Sequence, residues 1–420
     1  MSSTELPSVS AASVLPKVAP VRVGEGERLR SVGLPGITLT VRSRAAVREG
    51  LPPALYVHGL GGSSQNWSQL MAEFDGLVDS EALDLPGFGD SPPPDDGDYS
   101  VTGHARAVIR YLDAAGRGPV HLFGNSLGGA ITTRVAAVRP DLVRTLTLIS
   151  PALPEIRVQR SAVPTALLGV PGIASLFTRI SRDWTAEQRV RGVLGLCYGD
   201  PGMVTPEAFR HAVEELERRL QLPYFWDAMA RSSRGIVNAY TLGGQHGLWR
   251  QAERVLAPTL LVYGGRDQLV GYRMAQRAAR AFRDSRLLSL PDAGHVAMME
   301  YPETVAAAFR ELLADAGELG EFGESGGFGK LGEPSGAGAD SVADAGAEAD
   351  PGAGAVRGRR AGEADGFGRG GGGGARGSRG GGSVSTVSDA GGAGTGAGAG
   401  AGSGSGAGGD GTVDDTNAGS

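Results

Sequence analysis

Ser126 has the most specific chemical setting of any side chain in this sequence. It stands in Gly124-Asn125-Ser126-Leu127-Gly128-Gly129, directly after the apolar run Val120–Phe123 and just before a helical pattern that opens at Ala130. A G-x-S-x-G segment between a strand and a helix holds its serine on a tight, strained turn with the hydroxyl projecting from the strand end. Side chains at Gly124 and Gly128 would crowd that turn. The helix that follows aims the positive end of its dipole at any negative charge developing there. The chemistry this suits is nucleophilic attack, for which a serine hydroxyl needs a base.

His295 is the candidate base. It lies in Asp292-Ala293-Gly294-His295, after the last apolar run, Arg286–Leu290, and before a closing helical pattern near Glu303–Leu313. That puts it on a loop at the same sheet edge as Ser126. Of the other five histidines, His121 falls inside a strand and reads as buried and structural. His58 ends a strand, His104 is near a helix start, and His211 and His246 lie in a largely helical stretch. A catalytic imidazole needs a carboxylate to fix its tautomer and stabilise its charged form. Asp267, closing Tyr263-Gly264-Gly265-Arg266-Asp267 just past a strand, is placed to supply it. Asp84 also ends a strand, but it precedes the serine in Asp84-Leu85-Pro86-Gly87-Phe88-Gly89-Asp90-Ser91 and is read as shaping that loop. After Ile149 come Ser150 and Pro151, with no acid. A tetrahedral intermediate would also need two backbone N–H donors. Leu127, next after the serine, is expected to give one, and Leu60 in His58-Gly59-Leu60-Gly61-Gly62 the other.

The elements that position these residues alternate. Short apolar runs at Ala54–Val57, Val78–Leu85, Val120–Phe123, Leu146–Ile149, Thr259–Tyr263 and Arg286–Leu290 are separated by helical patterns such as Ala105–Leu112 and Ala130–Val138. Near-continuous apolar strands alternating with helices predict a mostly parallel sheet covered on both faces. Arg28–Ser31 and Ile37–Arg42 flank Pro35-Gly36 and predict a hairpin. From Pro151 to about Arg250 the alternation stops and the pattern is helical. Ile173, Leu176, Phe177 and Ile180 recur at helical spacing, Thr185 and Gln188 fit a capping box, and Pro206 after Thr205 fits a helix start. We read this stretch as an inserted helical cap whose apolar stripes pack on one another or on the sheet domain.

Composition bounds the rest. The chain has 420 residues, of which 70 are glycine, and most of those glycines lie beyond residue 315. The expected organisation is a flexible arm over 1–20, an α/β domain over 21–315 with its cap at about 151–250, and a disordered Gly/Ala/Ser-rich tail over 316–420. Arginines spaced by glycines over Arg369–Gly382 are read as part of a solvated tail. The net charge of -6 argues against a nucleic-acid partner. A single cysteine, Cys197, excludes an internal disulfide framework and a four-cysteine metal site, and its apolar stripe marks it as packed. With no visible signal peptide and no membrane span, a cytoplasmic protein acting on a small molecule is expected. The oligomeric state is open.

With its elbow, His-Gly loop, D-x-P-G-x-G-x-S loop and the chain order Ser126, Asp267, His295, the sequence resembles the α/β-hydrolase superfamily, in the branch with a helical cap. The resemblance runs from about residue 30 to residue 313. It implies an eight-stranded, mostly parallel sheet whose first strands are antiparallel, no metal and no organic cofactor. Members that use aspartate as nucleophile, such as epoxide hydrolases and haloalkane dehalogenases, depart from this chain at Ser126. Three functions stay open: an esterase or lipase-like hydrolase of a small or medium apolar ester; a carbon–carbon bond hydrolase resembling the meta-cleavage-product enzymes; and a small-molecule receptor without turnover. Cofactor-free haloperoxidase-like chemistry is a minor fourth. Asn125 favours the carbon–carbon reading, whereas Val296 after His295 and the lack of a proline after the His-Gly loop oppose it. Trp184, Tyr224, Phe225 and Trp226 are candidate pocket residues in the cap.

Overall fold

A computed structural model describes residues 22–155, 157–241 and 246–318, together with the backbone of 356–359. All of these belong to one compact unit ending at Gly362. The expected arm over 1–20, the Arg369–Gly382 patch and nearly all of the expected tail lie outside the described residues.

The strands are β1 (Glu27–Leu34), β2 (Ile37–Arg44), β3 (Pro53–Val57), β4 (Asp79–Leu83), β5 (Val120–Asn125), β6 (Val143–Ile149), β7 (Thr259–Gly264), β8 (Asp284–Leu290) and β9 (Val356–Arg359). They form one sheet in the order β1-β2-β4-β3-β5-β6-β7-β8-β9. β1 and β2 form the expected hairpin, with Leu34 opposite Ile37 and Gly36 at positive φ in the turn. β2 meets β4 antiparallel, and the six strands from β4 through β8 pair in parallel. The mostly parallel α/β-hydrolase sheet is thus as expected, with one addition. β9, from the stretch read as tail, pairs antiparallel with the edge strand β8. Past residue 315, Glu318 pairs with Arg144 at 2.8 Å.

Strand side chains alternate between two cores, as a period of two requires. Leu55 and Val57, Leu122, and Leu261 and Tyr263 face the helices Val101–Ala115, Leu127–Val138 and Met274–Ala281. Tyr56, Phe123, Leu260 and Val262 face Ser68–Glu73 and Pro302–Asp315. On that second side Phe123 stacks on Tyr56 at 4.5 Å and lies 4.9 Å from Phe309. A parallel sheet covered on both faces leaves its carboxyl edge as the place where strand ends and loops meet open space.

The cap consists of helices Val163–Leu167, Ile173–Ile180, Ala186–Cys197, Pro206–Leu220 and Phe225–Thr241. The expected capping box of Thr185 with Gln188 forms, and Pro206 opens its helix behind Thr205. The stripe of Ile173–Ile180 does not pack as a whole. Phe177 lies 5.6 Å from Trp226 and 6.0 Å from Trp184, whereas Leu176 and Ile180 are exposed. Helical spacing marks an apolar side but not what covers it.

Candidate active site

At the end of β5 the chain turns sharply into the helix Leu127–Val138, and Ser126 takes φ 52°, ψ -116° at the turn. Only two described non-glycine residues have positive φ, Ser126 and Ser150, and they sit side by side at the ends of the paired strands β5 and β6. Backbone of this kind costs about 1–3 kcal/mol per residue and persists only where surroundings enforce it. Here they do: Ser126 N–H donates to Ile149 O at 3.1 Å, and Ser126 O accepts from Ala130 and Ala152.

The glycines of the elbow are fixed by close packing. A Cβ on Gly128 would stand 2.1 Å from Val57 O, and one on Gly124 2.6 Å from Gly128 O. The elbow helix therefore presses on the end of β3, which launches the loop His58–Gly62. Gly59 in that loop is equally constrained, since a Cβ there would lie 3.1 Å from Ser126 Cβ. Gly62 N–H closes a turn onto Gly59 O at 3.1 Å, with Gly61 at φ 71°. Positive φ at the third residue is the position a type II turn reserves for glycine, and such a turn leaves the Leu60 N–H outside its own hydrogen bond. Leu127 opens its helix, so its N–H has no acceptor within that helix.

Asp267 and His295 are brought together. His295 Nδ1–H donates to Asp267 Oδ2 at 2.9 Å and to Oδ1 at 3.1 Å, and both side chains are buried. Asp267 Oδ1 also accepts the N–H groups of Leu269 and Val270, at 2.7 and 2.9 Å. Burial pushes this carboxyl up, but the charge and hydrogen bond of His295 and the Val270 amide outweigh it and hold it below the usual carboxylate range. The two loops meet backbone to backbone. A Cβ on Gly264 would lie 2.2 Å from Gly294 O, and one on Gly265 2.3 Å from Pro291 O. This accounts for Gly264-Gly265 ahead of the acid. Asn125 ties Ser126 to the same cluster: its Nδ2 donates to His295 O at 3.0 Å and to Ile149 O at 3.1 Å.

Three of the other histidines have structural partners. His58 Nε2 accepts the Leu85 N–H at 3.0 Å, so its proton sits on Nδ1, which donates to Gly59 O at 2.7 Å; burial pushes it down to about 4. His121 pairs with Thr145 and His104 with Ser232, and burial pushes both down to about 3. Asp84 holds its own loop, accepting from Ser64 N at 2.6 Å and Asp90 N at 2.9 Å. Cys197 is half-buried, and burial pushes its thiol up to about 12.

Two residues that sequence reasoning missed join the cap to this edge. Buried Glu300 accepts the Gly294 N–H, beside His295, and the Gly199 N–H, at the foot of the cap, both at 2.8 Å. Next to it, His295 N–H donates to Cys197 O at 2.6 Å. Arg219, in the cap helix Pro206–Leu220, donates to Gly61 O at 2.8 Å and pairs with Glu215 at 3.4 Å. The only sequence signal for Glu300 is an acid just before the last helix; for Arg219 there is none. Among the candidate pocket aromatics, Tyr224 is buried and Trp184 is half exposed. Among the described residues no cluster of side chains is suited to hold a metal ion, and no helix is long and apolar enough to cross a membrane.

Comparison with known proteins bears on the fold and the family. A dihydrolipoyllysine-residue acetyltransferase component of the acetoin cleaving system from Cupriavidus necator is 28% identical over 257 residues, covering 60% of this chain and 60% of that protein, so the chain spans about three fifths of that relative's length. A pimeloyl-[acyl-carrier protein] methyl ester esterase from Neisseria meningitidis is 26% identical over 284 residues, covering 65% of this chain and 96% of the esterase. The crystal structure of a meta-cleavage product hydrolase from Pseudomonas fluorescens superposes with a TM-score of 0.56 at 19% identity, over 68% of this chain and 98% of the other. The profile of the alpha/beta hydrolase family matches residues 54–308, more than half of the sequence, and the chain belongs to that family.

Proposed function

We propose that this protein is a serine hydrolase that cleaves a small or medium carboxylic ester through an acyl-enzyme on Ser126. The observation that carries the proposal is the strained Ser126 turn on the same sheet edge as the hydrogen-bonded pair Asp267–His295. Asp267 keeps the proton of neutral His295 on Nδ1, which leaves Nε2 as the basic nitrogen. Ser126 Oγ attacks the ester carbonyl carbon as its proton passes to Nε2. The carbonyl oxygen becomes an oxyanion held by the Leu60 and Leu127 N–H groups. Collapse of the intermediate expels the alkoxide, which takes the proton from Nε2. Water then attacks the acyl group by the same route and frees the acid. The step uses no metal and no organic cofactor.

This reading places the chemistry in the sheet domain, residues 21–315, into which the helical cap, about 151–250, is inserted. A cytoplasmic setting belongs to it, and the single cysteine leaves no disulfide to form within the chain. Ester cleavage is favoured over carbon–carbon cleavage by Val296 after His295 and by the esterase relative. Arg219 contacts the His58–Gly62 loop, but Glu215 shares its charge, so it is not a free receptor for a substrate carboxylate. Asn125 supports the second reading, a hydrolase of vinylogous diketones, because it matches the elbow of such enzymes.

The test compares kcat/KM on short aryl esters with that on a 2-hydroxy-6-oxo-dienoate under one set of conditions. A preference for the esters is expected. A clear preference for the dienoate would reverse the order of the two readings, and inertness toward both with a ligand still bound would favour the receptor.

A further inference from the structure

Seven of the fifteen large hydrophobic side chains exposed among the described residues fall within residues 158–184, a small part of the chain. They recur at helical spacing. Val163 and Leu167, four residues apart, are followed by Val170; Leu176 and Ile180, again four apart, are followed by Trp184. The last three are 50%, 66% and 50% exposed. Both short helices lean their other sides on the helix Phe225–Thr241. The turn between them is pinned there by Arg234, whose Nε donates to Gly169 O at 2.7 Å. Their free sides therefore face away from the protein.

The charge of this segment is one-sided. Residues 156–182 contain four arginines, Arg157, Arg160, Arg179 and Arg182, and no acid. All four are exposed, and among the described residues the only ion pair any of them makes is the long contact of Arg182 with Asp183, 3.6 Å. The second half of the cap differs: in Ala186–Leu220 acids and arginines alternate and pair, as in Arg191 with Glu187 and Arg218 with Glu215.

We propose that this face of the cap is a docking surface for an anionic lipid bilayer. Large exposed apolar patches mark interaction sites. Aliphatic side chains at helical spacing, a tryptophan at the margin and arginines free to extend toward headgroups are the components of an interfacial anchor. A second copy of the chain fits less well, because a two-fold contact sets the same patch against itself and would bring uncompensated arginines together. The surface borders the candidate site: Gln159 Nε2 donates to Asp267 O at 3.3 Å, and Ser161 donates to Gln268 O. Nothing in the surface depends on the role of Ser126.

The test is flotation of the full-length protein with vesicles of phosphatidylcholine alone and of phosphatidylcholine mixed equally with phosphatidylglycerol. The protein is expected to float with the mixed vesicles only, and less at high salt. Two variants, Leu176→Ser with Ile180→Ser and Arg160→Gln with Arg179→Gln, should each lower the bound fraction roughly tenfold, with unfolding temperature and turnover of a soluble ester unchanged. Absence of flotation with either vesicle overturns the proposal. So does flotation that survives both variants, since the contact then lies elsewhere in the chain. A concentration-dependent dimer that Leu176→Ser with Ile180→Ser dissolves, without flotation, would also overturn it and assign the face to a second copy.

Discussion

A methyl group on Gly128, at the sheet edge, would stand 2.1 Å from Val57 O, whereas one on Gly192, in the cap helix Ala186–Cys197, would meet nothing within 4 Å. Edge glycines such as Gly124, Gly264 and Gly294 resemble the first, and Gly195 resembles the second. At the edge, strand ends and loops are packed backbone to backbone, so each catalytic candidate is positioned by contacts that tolerate no added atom. The cap is mixed: Gly169 and Gly235 are also packed against backbone, but Gly192 and Gly195 are open, and residues 158–184 show apolar side chains to solvent. Tight placement of the candidate catalytic groups and a cap with an exposed apolar side are combined in one chain.

The strongest way to break this contrast is Gly128→Ala. With backbone on the opposite side, the added carbon cannot be accommodated by a rotamer change, and a loss of about 3–5 kcal/mol is expected in urea unfolding. Near-normal stability would mean that the edge is not as tight as described.

Glu300→Gln addresses the joint between the two regions. Glutamine offers one acceptor and an N–H pair where two N–H groups now converge, so one of the bonds to Gly294 and Gly199 is lost. We expect about 1–3 kcal/mol of stability and roughly a tenfold fall in kcat. A loss of stability at unchanged kcat would make Glu300 purely structural, without influence on the loop of His295.

The edge was more legible in the sequence than the cap, for a physical reason. Ser126 with its glycines is a local signal, and the order of Asp267 and His295 follows from strand-end positions that a parallel sheet brings together. Glu300 bonds to a glycine 101 residues away, and Arg219 to one 158 away. Pairings at that distance leave no period in the chain. The stripe Ile173, Leu176, Phe177 and Ile180 was legible as a helix face, yet only Phe177 and its neighbours show which part is covered. β9 fell in a stretch whose composition argued for a solvated tail.

Acid should weaken the sheet domain next. His58, His104 and His121 are held neutral, pushed from 6.5 down to about 4, 3 and 3. A histidine whose folded pKa lies below its unfolded one takes up its proton more readily when unfolded. Stability is then full above 6.5 and falls as pH drops toward the folded values. Each such group contributes a slope of up to about 1.4 kcal/mol per pH unit in that window. Urea midpoints measured between pH 7 and pH 5 check this, and a flat profile would mean that these imidazoles charge without unfolding (~1 proton each). The smallest effect has the opposite sign to the first. Gly192→Ala, in an exposed helix interior with open space around it, should stabilise by about 0.5–1 kcal/mol, and a loss there would erase the distinction between the two kinds of glycine.

The central claim, a Ser126 nucleophile served by His295 and Asp267, is tested most directly by labelling the full-length protein with a fluorophosphonate and locating the adduct by mass spectrometry. The account predicts a single adduct on Ser126, none in Ser126→Ala, and labelling slowed by on the order of 10⁴-fold in Asp267→Asn. An adduct on another serine, or normal ester turnover by Ser126→Ala, would contradict it.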